Sequence, residues 1–302
     1  MFHSFKEIEE HILSTGIKKR LVLANAHDDD ALSAVVHAVE KGVIEAVLIG
    51  RPEEIYDILA ANGQDPANYR IIECRDERKA GQMACQMVKD GEADMPMKGR
   101  MQTATFMRCI LDRERYGFLK EGSHLSQATL MEYEEENRMM IVTDCAVTIA
   151  PDYPTKIKLI ENAVRLANKI GIECPKVAVV CPLETVNPKI PSTVEAAMLA
   201  KAAERGQIKG CIVDGPLGLD NAIDKEAARI KGVKSEVAGE PDILLMPDLC
   251  AGNIFTKSIF YFAHMKSSGT LLGPNIPVVM TSRTDDPEDK YYAILTAIIQ
   301  CL

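Results

Sequence analysis

Near the C-terminal end of the chain the apolar run Pro277-Val278-Val279-Met280-Thr281 leads directly into Ser282-Arg283, then into Thr284-Asp285-Asp286-Pro287-Glu288-Asp289. A hydroxyl, a guanidinium and several carboxylates therefore stand at one strand tip. In open parallel α/β sheets, ligands bind beyond the carboxyl ends of the strands. A planar guanidinium there suits an anionic substrate, whose oxygens it can grip with paired hydrogen bonds. The acids also have a structural explanation. Asp286 before Pro287 is a good N-cap with proline in the first helical position, and Glu288 and Asp289 complement the helix dipole. Ser282 and Arg283 neither continue the strand nor cap the helix, which leaves them for chemistry.

Two further turns are candidates. Lys98-Gly99-Arg100 precedes a helical stretch from Met101, and Asp214-Gly215-Pro216 follows an apolar run at 211–213. Glycine ahead of a helix lets backbone amides approach an anion, with the helix dipole adding partial positive charge. A plain connecting turn is the equal alternative. His27-Asp28-Asp29-Asp30 has metal-ligand residue types, but it precedes Ala31-Leu32-Ser33-Ala34-Val35-Val36, so helix capping explains the acids more simply. The chain has no GxxxxGK[ST], HExxH, GxSxG or GxGxxG motif, which removes the usual support for nucleotide triphosphatases, zinc proteases, serine hydrolases and standard dinucleotide binding.

The elements that must position these residues are read from hydrophobic pattern. Apolar runs of strand length alternate with amphipathic stretches of helix length, the signature of an α/β protein with a largely parallel sheet. Strands are predicted at 21–24, 43–49, 69–72, 140–143, 177–181, 211–213, 243–246, 270–272 and 278–281. Helices are predicted near 29–41, 52–61, 76–89, 101–113, 154–170, 192–205, 219–230, 251–265 and 287–300. The runs at 128–133 and 138–143, joined by Glu134-Glu135-Glu136-Asn137, read as an antiparallel hairpin in this otherwise parallel design. This change of sheet style places a boundary near residue 116. With the last helix returning to the first domain, the expected division is 1–116 plus 271–302 for domain I and 117–270 for domain II, with a cleft between them.

At 302 residues, 47% hydrophobic and 26% charged, the chain is long enough to divide into two domains with real cores. Its net charge of −9 and its lack of any basic block argue against nucleic acid as a partner, while a few convergent arginines can still bind a small anion. Nine scattered cysteines with no CxxC pair read as reduced, mostly buried thiols. Met1-Phe2-His3-Ser4-Phe5-Lys6-Glu7 lacks a basic segment followed by an apolar run, and no apolar stretch reaches the ~20 residues of a membrane helix. These features predict a cytoplasmic protein with no membrane partner.

Taken together, these segments resemble the phosphate acetyltransferase and phosphate butyryltransferase family over nearly the whole chain. The resemblance is carried by Ala93-Asp94-Met95-Pro96-Met97-Lys98-Gly99, Thr143-Asp144-Cys145-Ala146-Val147-Thr148-Ile149-Ala150-Pro151-Asp152 and Val213-Asp214-Gly215-Pro216-Leu217 with Leu219-Asp220-Asn221-Ala222. Pro247-Asp248-Leu249-Cys250-Ala251-Gly252-Asn253-Ile254 and Thr281-Ser282-Arg283 complete it. The Met-Lys-Gly turn and the Thr-Asp-Cys-Ala-Val segment look closer to the butyryl branch.

The resemblance implies a two-domain fold of the isocitrate and isopropylmalate dehydrogenase type, a homodimer or higher homo-oligomer. The reaction it implies interconverts acyl-CoA plus phosphate with acyl phosphate plus CoA, using no metal or redox cofactor. Carried over residue by residue, Ser282 and Arg283 match the family's Ser-Arg pair, and Asp289 stands at the spacing of its proposed base. Arg108 and Arg78 match two arginines of the phosphate and CoA site, with Lys98 and Gly99 as further binding residues. Asp285 and Asp286 lie close enough to Ser282 to compete for the base assignment, and Arg75 lies close to Arg78. Three other readings stay open: phosphate acetyltransferase; a metal- and NAD-dependent hydroxy-acid dehydrogenase with Asp214 and Asp220 as metal ligands; and a non-enzymatic acyl-CoA sensor.

Overall fold

The structure is a computed structural model that describes residues 1–302. The chain divides into two compact units: one of Phe5–Ser123 and Ser268–Leu302, and one of Met1–Ser4 and His124–Ser267. The boundaries lie at 123/124 and 267/268, where pattern placed them near 116 and 270. Packing explains the later first crossing. Tyr116 and Phe118 are buried and stacked at 5.5 Å, the Tyr116 hydroxyl donates to the Gln82 carbonyl, and the Phe118 carbonyl accepts from the Asn275 amide. Met1–Ser4 join the other unit, where the Phe2 amide donates to the Ile170 carbonyl at 2.9 Å.

The unit holding both chain ends is built on β1 (Lys19–Ala24), β2 (Ile44–Gly50), β3 (Arg70–Glu73) and β4 (Met95–Lys98), all parallel, in the order β3-β2-β1-β4. The core strand is β1. Its Leu21, Val22, Leu23 and Ala24 are fully buried, as expected of a central parallel strand covered on both faces. α2 (Asp29–Glu40), α3 (Pro52–Ala61), α4 (Glu77–Lys89), α5 (Thr103–Ile110) and α11 (Pro287–Cys301) surround the sheet. α1 (Phe5–Thr15), which no pattern-based segment covers, lies against α11: Phe5 stacks on Tyr292 at 4.3 Å and Glu9 accepts from the Tyr291 hydroxyl at 2.6 Å.

In the other unit β5 (Ser126–Tyr133) and β6 (Arg138–Thr143) form the expected antiparallel hairpin, with Asn137 in the left-handed conformation at φ 48°. The strands run in the order β5-β6-β9-β7-β8, and those after β6 are parallel. They are β7 (Lys176–Val180), β8 (Ile212–Leu217) and β9 (Ile243–Leu245). The helices are α6 (Tyr153–Lys169), α7 (Pro191–Glu204), α8 (Leu219–Ile223), α9 (Lys225–Ile230) and α10 (Leu249–Tyr261). β10 (Ser267–Leu272) then carries the chain back.

Three pattern-based expectations are corrected. Asp214-Gly215-Pro216 is not a turn after a strand but lies inside β8, where the pairing with β7 shifts register between Ala178 and Val180. The helix expected at 219–230 breaks at Asp224, whose carboxylate caps α9 through the Ala227 amide. The strand expected at 278–281 is a single parallel bridge between Met97 and Val279, made by two bonds: Val279 N to Pro96 O and Lys98 N to Val279 O, both 3.0 Å. No helix is long and apolar enough to cross a membrane.

Candidate functional site

The bridge at Val279 releases the chain beside the end of β4, and the turn that follows runs from Ser282 to Asp285 with Arg283 and Thr284 at its tip. This turn is held by its own aspartates. Asp285 Oδ2 accepts from the Ser282 amide at 2.7 Å, and Ser282 Oγ lies 3.1 Å from Thr284 Oγ1. Asp286 is the N-cap of α11, accepting from the Asp289 amide at 2.9 Å with Pro287 behind it. Asp285 and Asp286 are thus committed to backbone, while Asp289 sits half-buried in the first turn of α11. Ser282 and Arg283 are exposed.

The Lys98-Gly99-Arg100 turn packs against the end of β1. Asn25, left-handed at φ 58°, turns its carbonyl toward it. A Cβ on Gly99 would lie 2.3 Å from the Asn25 carbonyl oxygen and 2.8 Å from that of Ala24. The turn amides are spent locally: Gly99 N donates to Ala24 O, Arg100 N to Asn25 O and Met101 N to Gly99 O. Glycine is therefore required here by close backbone approach, not by an anion cradled on these amides. Lys98 is buried, its Nζ 3.3 Å from the Gly99 carbonyl. Burial pushes its pKa down, Asp28 opposes that, and the charges of Arg283 and Lys290 add to it.

α4 and α5 meet through Gly81, where a Cβ would stand 3.1 Å from Cys109 Sγ and 3.1 Å from Met101 Cε. The carboxylate of Glu77 at the start of α4 accepts from the Gln102 amide, the N-cap of α5, at 2.7 Å. Gln102 Oε1 in turn accepts from Arg283 Nη2 at 2.9 Å. A short relay, Glu77 to Gln102 to Arg283, thus fixes the exposed guanidinium relative to two helix starts. Glu77, Gly99, Gln102, Arg283, His27 and Asp28 line a recess of about 460 Å³, with Asp29, Asp30, Arg100 and Met101. Of the residues selected from sequence, the recess collects Gly99 and Arg283; Lys98, Ser282, Asp289, Arg78 and Arg108 are not among its lining.

Arg78 and Arg108 are exposed on α4 and α5, and neither guanidinium has a side-chain partner. Arg75, the near neighbour, is committed to ion pairs with Glu53 and Glu73 at 2.7 and 3.0 Å. An unpaired guanidinium is available to a soluble anion, and in this respect Arg78, the residue chosen from sequence, differs from Arg75. Pattern reading missed Gln102 and Glu77 as site residues; the position of Gln102 just ahead of α5 was the available signal. His27 was noticed only as a metal candidate. It is buried, its Nδ1 lacks a partner, and burial lowers its pKa while Glu54 opposes. Asp28 caps α2 through the Ala31 amide at 2.9 Å.

The other unit gathers its two most distinctive segments at one point. The buried Asp144 carboxylate accepts from the amides of Ala146 and Val147, both at 2.9 Å, of Thr148 at 3.2 Å, and from the Thr148 hydroxyl at 3.0 Å. Gly252 on α10 packs so tightly there that a Cβ would fall 2.2 Å from the Asp144 carbonyl oxygen. Asn253 Nδ2 donates to the Cys145 carbonyl at 3.2 Å. Of the aspartates a dehydrogenase would need, Asp214 accepts from the amide of Gly215 and Asp220 pairs with Lys231 at 2.9 Å. Five cysteines, Cys74, Cys85, Cys109, Cys145 and Cys181, are buried, while Cys174 and Cys250 are exposed; burial raises the pKa of Cys109, Cys145 and Cys181, and pushes Cys85 up to about 12.

The family model for phosphate acetyl/butaryl transferase matches residues 75–298. The chain is 43% identical over 299 residues to a phosphate butyryltransferase of Clostridium acetobutylicum, covering 99% of this chain and 98% of that protein. It is 45% identical over 287 residues to a phosphate acetyltransferase of Thermotoga maritima, covering 95% and 97%. A branched-chain phosphotransacylase from Enterococcus faecalis V583 superposes with a TM-score of 0.82 at 30% identity, covering 93% of this chain and 98% of that one. The exposed Ser282-Arg283 turn, the Gly99 close approach and the Asp144–Gly252 lock all fall inside the matched span, and the chain belongs to the phosphate acetyl/butaryl transferase family.

Proposed function

We propose that the protein is a phosphotransacylase that interconverts a short-chain acyl-CoA and inorganic phosphate with acyl phosphate and free CoA, with butyryl-CoA as its preferred substrate. The observation that carries this reading is end-to-end similarity to a phosphate butyryltransferase together with an exposed Ser-Arg turn. The butyryl preference rests on Met97-Lys98-Gly99 and on Thr143-Asp144-Cys145-Ala146-Val147. Acetyl-CoA is the alternative, favoured by 45% identity to a phosphate acetyltransferase. One methylene in an apolar pocket changes binding by only about 1–3 kcal/mol, so the choice is one for assay.

Inorganic phosphate is already a competent oxyanion nucleophile, so the site has chiefly to hold it beside the thioester and offset its charge. Arg283, with Arg108 and Arg78, supplies guanidinium for phosphate oxygens and the CoA phosphates. A phosphate oxygen forms the new bond to the acyl carbon as the carbon–sulfur bond breaks, and the thiolate departs. Ser282 donates to the developing charge on the thiolate or the carbonyl oxygen. In the reverse direction Asp289 takes the CoA thiol proton, since the thiolate is the nucleophile. Lys98 adds positive potential beneath the Gly99 turn. The step uses no metal or redox cofactor.

The chain's division, with one unit assembled from both of its ends, supports an isocitrate and isopropylmalate dehydrogenase type of fold. The protein acts as a homodimer or higher homo-oligomer; sedimentation at twice its 33.2 kDa chain mass or a larger multiple is the expected result, and sedimentation at 33.2 kDa the contrary one. Thiol release from butyryl-, isobutyryl- and acetyl-CoA, with and without phosphate, tests the activity. Phosphate-dependent release, fastest with butyryl-CoA, is expected. Release without phosphate would point instead to a hydrolase, and none with any acyl-CoA would sink the reading.

A further inference from the structure

Lys290 follows Asp289 in α11, yet it is only 2% exposed, in a first helical turn whose neighbours Asp286 and Glu288 face solvent. A buried ammonium is costly unless it is well hydrogen-bonded. A methionine would fill the same space with its apolar stem at no such cost, so the charge must return something specific. It does not return a close ion pair, since its nearest carboxylate oxygen, Asp30 Oδ2, lies 4.0 Å away on a half-exposed side chain. Its hydrogen bond goes to the backbone carbonyl of Asp285.

Asp285 faces two ways. Its carbonyl receives the Lys290 ammonium, and its carboxylate accepts from the Ser282 amide at 2.7 Å. The two bonds close a loop from α11 back to the exposed tip. We propose that Lys290 is a positioning residue for the Ser282-Arg283 turn, its buried ammonium fixing Asp285 so that Asp285 fixes the backbone presenting the serine and arginine. Lys98 is likewise buried, but its Nζ reaches only the carbonyl of the next residue, Gly99, at 3.3 Å. Lys290 does not line the recess, so it reaches the site through the turn it holds and through its charge on Lys98.

The catalytic part of this inference rests on the phosphotransacylase reading; the structural part does not, and the test separates them. In Lys290→Met, hydrogen exchange at the Ser282 and Asp285 amides should accelerate at least tenfold, whatever the activity. With butyryl-CoA and phosphate, its kcat should fall at least tenfold while KM for the acyl-CoA stays within twofold and the urea midpoint does not drop. Lys290→Arg, which retains a cationic donor, should recover most of the loss. Asp285→Ala should lose as much as Lys290→Met, and the double variant no more than either single one. Unchanged amide exchange in Lys290→Met would overturn the proposal. So would additive losses in the double variant, or a kcat loss that merely tracks a lowered urea midpoint. If the wild-type protein releases no thiol in the presence of phosphate, the functional reading fails, and the exchange measurement alone decides whether Lys290 holds the turn.

Discussion

Arg283 is the residue on which the chemistry leans most, because its guanidinium is exposed yet oriented by Gln102. Loss of one preorganised donor at a developing charge typically costs about 10²–10³ in rate. Arg283→Ala should therefore lower kcat with butyryl-CoA by about 10²-fold with its circular dichroism unchanged. Retained turnover would remove Arg283 from the mechanism. Lys98 makes a prediction of a different kind. Its folded-state pKa lies below the ordinary value of about 10.4, so burial penalises the charged form at neutral pH. The penalty is full below the folded pKa and disappears as pH rises toward the unfolded value. The wild-type urea midpoint should gain on that of Lys98→Met between pH 7 and 10; a constant difference would contradict the burial argument. Ser282 and Arg283 were legible in the sequence because neither fits a strand or a cap, and Asp286 because aspartate before proline is a cap signal. The part played by Gly99 was not, since a glycine ahead of a helix looks the same whether its amides face an anion or, as here, the end of β1. Gln102 belongs to no motif and His27 stood out only in the His-Asp-Asp-Asp segment, and only the folded chain brings them beside Arg283.

At the scale of elements, the Asp144–Gly252 lock invites the sharpest test. Alanine is favoured over glycine within a helix by about 1 kcal/mol, so propensity alone predicts that Gly252→Ala stabilises α10. A Cβ placed 2.2 Å from the Asp144 carbonyl oxygen must displace backbone, and overpacking of that kind costs about 1–3 kcal/mol or more. The clash wins, and Gly252→Ala should lower the urea midpoint, whereas a raised midpoint would mean that α10 can slide. Several elements were readable from periodicity: α3 spans the predicted 52–61, and the β5–β6 hairpin follows its predicted runs. Elements whose composition conflicts with their state were harder. β4 is the four-residue run Met-Pro-Met-Lys, where proline argues against a strand but is tolerated at a sheet edge. The run at 278–281 has good strand composition yet makes only one bridge, as the chain departs into the Ser282 turn. α1 was not among the predicted segments, but Ser4 and Glu7 stand at capping-box spacing, a signal that was available.

For the whole molecule, alternation of apolar runs and amphipathic stretches was enough to establish parallel-dominated α/β architecture, because each buried strand needs helices to cover it. The division into units was harder to place. Which residues join a unit depends on aromatic burial such as that of Tyr116 and Phe118, and on the Phe2 amide reaching the Ile170 carbonyl, neither of which has a local signature. Function was legible through long ordered agreement of several segments rather than through any single motif. The central claim, transfer of an acyl group from sulfur to a phosphate oxygen, is tested most directly by following butyryl-CoA and inorganic phosphate by ³¹P NMR alongside thiol release. One butyryl phosphate should form for each thiol released in wild-type protein, with both signals falling together in Arg283→Ala. Thiol release accompanied by free butyrate and no acyl phosphate would contradict it.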